Sequence, residues 1–156
     1  MSTHTRDFSD IYGYRFEDLS VGMSSSISKT ISEADILLFA GVSGDTNAVH
    51  LDAEFAASTM FGGRIAHGML SAGFISATLA NKLPGPGTIY LSQTLKFKAP
   101  VKPGDTVTAT VTVREVNVPK NRVVLDTVCT VAGKVVIEGE CQMMPPVRAT
   151  APTGTA

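Results

Sequence analysis

The sequence is short of cysteine, of net charge and of long apolar runs. Only Cys129 and Cys141 occur, and no CxxC pair is present. That argues against a disulfide framework and a structural zinc site, and it fits a reducing, cytoplasmic setting. Two isolated thiols in strand-like segments read as small core residues. Thirteen basic residues stand against fourteen acidic ones, so the net charge is -1. Such a chain exerts no general attraction on nucleic acid or an anionic membrane. The longest apolar run, residues 65–80, is broken by His67, Ser71, Ser76 and Thr78. It falls short of the ~20 residues a membrane span needs and reads as a buried helix. The first residues, Met1-Ser-Thr-His-Thr-Arg-Asp7, lack the apolar core of a signal peptide. Nothing in the composition asks for a metal or a cofactor.

What is present describes a soluble globular protein. Hydrophobic residues make up 44% and charged ones 17% of 156 residues, enough for one domain with a true core. The expected division is a flexible N-terminus at residues 1–10, a folded domain at 11–144 and a disordered tail at 145–156, rich in Pro, Thr and Ala. Residues 24–31 alternate and predict a first strand. Ser32 is an expected N-cap, with Asp35 at the capping-box position, for a helix that Gly41 and Gly44 weaken and end. Residues 52–58 predict a short helix capped by Asp52. The run 65–80 is apolar on nearly every face and must be covered on most sides; its Ala, Gly and Ser residues let a sheet wrap closely. Pro84-Gly-Pro-Gly87 stops it. Residues 89–97, 106–116, 122–131 and 135–143 predict strands joined by turns. One strand, helices and four antiparallel strands indicate an α+β domain, with a curled antiparallel sheet around a long central helix.

The stretch Ser43-Gly-Asp-Thr-Asn-Ala-Val-His-Leu-Asp52 concentrates the polar chemistry. Asp45 can accept a proton, and His50 can accept or donate one near neutral pH, so the two together can activate one water. The alternatives are an Asx-turn for Asp45 and a helix-flanking surface position for His50.

Four blocks carry a family resemblance: Phe16-Glu-Asp-Leu-x-Val-Gly22; Ser43-Gly-Asp45-x-Asn47-x-x-His50-Leu-Asp52; Ile65-Ala-His67-Gly68-Met69-Leu70; and Ile89-Tyr-Leu-x-Gln93-x-Leu-x-Phe97-x-x-Pro-Val-x-x-Gly-Asp105. In this order they resemble the MaoC-like hydratases, specifically the (R)-specific enoyl-CoA hydratases. The resemblance implies a hot-dog fold and a homodimer joining two sheets edge to edge. It also implies an acyl-CoA substrate, with water added across a trans-2-enoyl-CoA double bond to give (R)-3-hydroxyacyl-CoA, or the reverse. Asp45 and His50 would hold the water, with the acid and base roles left open. Gly68, in the first turn of the central helix, would offer its N–H to the thioester oxygen; tight packing is the other reason for a glycine there. Ser76 would orient Asp45, or else bond its own helix backbone. Asn47 would close the loop as a turn residue or fix His50. His67 reads as a packing or capping histidine, and Asp52 as an N-cap. Arg64, Lys82, Lys96 and Lys98 are candidates for CoA phosphates, or plain solvated residues. Leu70, Phe74 and Leu91 are candidates for setting pocket depth.

Hot-dog domains also serve as thioesterases, commonly with an Asp or Glu on the central helix. Residues 64–82 contain no acidic residue. A thioesterase therefore ranks second, and a non-catalytic acyl-CoA-binding module third.

Overall fold

The computed structural model describes residues 9–148. Strand β1 (Ser24–Thr30) is followed by helices α1 (Glu33–Ser43), α2 (Ala48–Leu51), α3 (Ala53–Ala57) and α4 (Gly68–Asn81). Strands β2 (Ile89–Gln93), β3 (Lys96–Phe97), β4 (Thr106–Asn117), β5 (Arg122–Val131) and β6 (Lys134–Met144) complete the fold. All the strand pairs are antiparallel. The sheet order is β1-β4-β5-β6-β2, with β3 also on β6.

Strand β4 alternates buried and open positions, as period-two patterning requires. Val107, Ala109, Val111 and Val113 face inward, joined by Leu125 and Cys129 of β5. Helix α4 lies against β4, β1 and β5. It buries Ser71, Ala72, Phe74, Ile75, Thr78 and Leu79, so the sheet encloses the helix as the hot-dog arrangement requires. Burying each large apolar side chain contributes about 1.5–3 kcal/mol.

The capping box expected at the start of α1 is present. Ser32 Oγ accepts from the Asp35 N–H, and Asp35 returns the bond to the Ser32 N–H at 2.8 Å. Asp35 also meets Lys29. The Ser32 bonds, then Lys29, lower its pKa to about 2. Gly44 ends the helix in the left-handed region, φ 77°, where a side chain would be strained. Asp52 caps α3 through the Glu54 and Phe55 N–H groups.

Three boundaries differ from expectation. Residues 65–67 are not helical: the Ala66 N–H donates to the Val101 carbonyl at 2.7 Å, so a long-range bond displaces the helix start to Gly68. The predicted strand 89–97 is broken into β2 and β3. Residues 145–148 stay on the body: the Phe16 N–H donates to the Pro146 carbonyl, and Arg148 pairs with Asp18. Folded chain thus runs past residue 144. His4, with the rest of residues 1–8 and with residues 149–156 of the two expected end segments, lies outside the described residues. Among the described residues, no helix is long and apolar enough to cross a membrane.

Candidate active site

The site is assembled by the short turns between α1 and α4. After Gly44, the Asp45 N–H donates to Ser43 Oγ at 3.2 Å. Asp45 Oδ1 accepts the Asn47 N–H at 3.2 Å. The expected Asx-turn is therefore real, and it occupies one carboxylate oxygen only. Asn47 Oδ1 in turn accepts the Val49 N–H, capping α2. That short helix carries His50. Asn47 is thus both the turn residue and the residue that sets His50.

His50 is not a surface residue; it is 8% exposed. Its Nδ1 lies 2.9 Å from the Ile65 carbonyl. A carbonyl only accepts, so Nδ1 carries a proton, and it is the neutral ring that has its lone pair on Nε2. His67, 1% exposed, is bound in the opposite sense: its Nε2 donates to the Asp45 carbonyl at 2.9 Å. The two imidazoles stack with centroids 3.8 Å apart. One ligand-capable atom each from Asp45, His50 and His67 lies within 4.8 Å of the others. Two groups bridged by one water stand up to about 5.5 Å apart, so this spacing accommodates a shared water. The same trio is a two-imidazole, one-carboxylate set of the kind that binds transition metals. Each ring has already committed one nitrogen to a carbonyl, leaving His50 Nε2, His67 Nδ1 and the carboxylate for an ion.

Asp45, His50, His67 and Gly68 open on one cavity of ≈ 530 Å³. Its other walls are chiefly apolar, among them Phe61, Ile65, Val101 and Ile137. Gly68 is the first residue of α4, and its N–H has no acceptor among the described residues. Phe97 packs so closely that a Cβ on Gly68 would lie 2.6 Å from its ring. The contact is tight, and the N–H is an unused donor at a helix start.

Several expectations are corrected. Ser76 is exposed on α4, does not line the cavity and makes no bond to Asp45. The helix serine at the cavity is Ser71, whose buried Oγ has no partner. Leu70, Phe74 and Leu91 do not line the cavity. His67 packs as expected, yet its side chain makes no cap bond. Lys98 reaches the cavity but pairs with Glu138; Arg64 pairs with Glu33, and Lys82 donates to the Ser26 carbonyl. Lys96 is exposed. The thiols of Cys129 and Cys141 are pushed by burial up to about 12, which removes them as nucleophiles. Sequence reasoning missed α2, the Ile65 carbonyl and Ser71. A backbone acceptor leaves no mark in a sequence.

Comparison with known proteins gives the family. Residues 20–139 match the family described as MaoC like domain. An (R)-specific enoyl-CoA hydratase of Rhodospirillum rubrum is 60% identical over 139 residues, covering 89% of this chain and 96% of that protein. A 3-hydroxybutyryl-CoA dehydratase of Methylorubrum extorquens is 48% identical over 131 residues, covering 84% and 83%. Among solved structures, the unliganded R-hydratase PhaJ1 of Pseudomonas aeruginosa superposes with a TM-score of 0.83 at 46% identity, covering 94% of this chain and 98% of that one. The (R)-hydratase of Aeromonas caviae involved in PHA biosynthesis gives 0.81 at 41%, covering 83% and 99%. The chain belongs to the MaoC-like domain family.

Proposed function

We propose that this chain is a hydro-lyase that adds water to trans-2-enoyl-CoA, giving (R)-3-hydroxyacyl-CoA, and runs the reverse dehydration. The observation that carries the reading is the meeting of Asp45 and His50 at one cavity with the free Gly68 N–H. The names of the relatives support the substrate class and the hand of the product.

Hydration needs a water activated at C3, a proton for C2 and a place for enolate charge. The unpaired His50 Nε2 takes a proton from the water while the free oxygen of Asp45 holds its other hydrogen. The water's O–H breaks as C3–O forms. Charge moves to the thioester oxygen, where the Gly68 N–H at the positive end of α4 stabilises it. His50 Nε2 then returns the proton to C2, so one water is added in full. Asn47 acts behind His50 by capping α2. The apolar walls hold the acyl group and exclude further water.

A second copy joins through the β2 edge. Strand β2 ends the sheet, and its Ile89, Tyr90 and Leu91 are exposed. Crotonyl-CoA tests the reaction. The reading expects loss of enoyl absorbance with no free thiol. Thiol release with the double bond intact would make the chain a thioesterase, and neither signal would leave a binding module.

A further inference from the structure

His67 is the member of the Asp45, His50 and His67 trio to which the proposed chemistry gives no task. We infer that His67 is a positioning residue, one that fixes Asp45 and His50 relative to each other. The inference rests on the functional reading above.

His67 stands at the N-cap of α4, where its side chain caps nothing. Its Nε2 instead donates to the backbone carbonyl of Asp45, across 22 positions of sequence. Its ring lies against His50, 31° from parallel, and Phe39 backs it at 4.9 Å. One side chain therefore touches both halves of the water-holding pair: the backbone of one and the ring of the other. The Asp45 carbonyl cannot pivot without breaking a bond to a buried donor. His50 cannot tilt toward His67 without displacing a ring that Phe39 confines.

The unused nitrogen separates this role from mere filling of space. His67 Nδ1 is buried with no partner. With Nε2 donating, Nδ1 has no protein partner among the described residues, so Nε2 makes the ring's one hydrogen bond to the chain. A phenylalanine would fill the space, with a slightly larger ring, and make no such bond. The imidazole therefore earns its place through the donor at Nε2.

The test compares His67→Phe with His67→Gln in the full chain. Phe keeps the bulk and loses the donor. Gln loses the ring and carries an amide N–H at the reach of Nε2. Crotonyl-CoA hydration gives kcat and KM, and circular dichroism gives melting curves. His67→Phe is expected to lower kcat about 100-fold with KM changed less than about threefold, the signature of displaced catalytic groups. His67→Gln is expected to recover kcat to within about tenfold of wild type. If the Phe variant does not fold, His67→Met takes its place with the same expectation. A His67→Phe enzyme with wild-type kcat overturns the inference. So do equal losses in the Phe and Gln variants, which would make the role purely structural. An active wild type beside an unaffected His67→Phe sinks this inference alone. An inactive wild type sinks the functional reading and takes this inference with it.

Discussion

Replacing Gly68 by alanine separates the two reasons for a glycine at the start of α4. An added Cβ would lie 2.6 Å from Cε1 and 2.7 Å from Cδ1 of Phe97. Carbon atoms rest at about 3.5–4.0 Å, so the ring must retreat by about 1 Å. Phe97 is 53% exposed and has room to do so. Alanine is also the better helix former, so stability should change by no more than about 1 kcal/mol. Activity should respond differently. The methyl group and the shifted ring both narrow the approach to the Gly68 N–H, and a thioester oxygen held about 1 Å out of place costs on the order of 100-fold in kcat. Crotonyl-CoA turnover measures the loss, and thermal melting checks the fold. A second substitution, Phe97→Leu, relieves the collision but leaves the methyl. If packing were the only reason for glycine, the double variant would recover wild-type kcat. The account expects recovery of no more than about threefold. Full recovery, or an unimpaired Gly68→Ala, would refute the role given to the N–H.

Other outcomes follow from the same geometry. Asp45→Asn and His50→Ala should each lower kcat by about 10²–10⁴ while circular dichroism shows an intact fold. Asn47→Ala removes the α2 cap. It should cost about 1 kcal/mol in a denaturant titration and lower kcat more than it raises KM. Asp35 has a folded pKa of about 2 against 3.8. Its contribution to stability is therefore full above pH 3.8 and lost as pH falls toward 2. Asp35→Ala should lower the melting temperature at pH 7 and flatten the decline between those two pH values. Sedimentation of the wild type should give a dimer, and charged substitutions at Tyr90 and Leu91 should shift it toward monomer.

The parts of this fold legible in the sequence are the ones fixed within a few residues. Ser32 and Asp35 are three positions apart and bond each other. Asp52 caps the helix it begins. Strand β5 has the predicted bounds, and its burial alternates from Arg122 to Thr130. The misreadings arise where distant chain decides. Residues 65–67 are as apolar as the helix after them, yet Val101 draws Ala66 into an extended bond. Strands β2 and β3 separate where the Thr94 carbonyl sits over Gly139, at a spot where any Cβ would collide. Helix α2 has four residues, too few for a periodic signal.

The site divides in the same way. Asp45, His50 and Gly68, singled out by the motifs, line one cavity, and Ser76 does not. Ser71 and Ser76 are five positions apart, about 140° around a helix, so one face cannot hold both. A helix apolar on nearly every side gives no clue to its rotation, and only the packed structure turns Ser71 toward the cavity. The roles of His67 and the Ile65 carbonyl are contacts between separate turns, invisible in spacing.

The most direct test of a single shared water is a kinetic cycle. Hydration of crotonyl-CoA would be measured for wild type, Asp45→Asn, His50→Gln and the double variant. Groups that act on one water fail together, so the double variant should be no slower than about threefold below the worse single variant. A double variant whose loss equals the product of the two single losses would show that the carboxylate and the imidazole work apart, and would contradict the account.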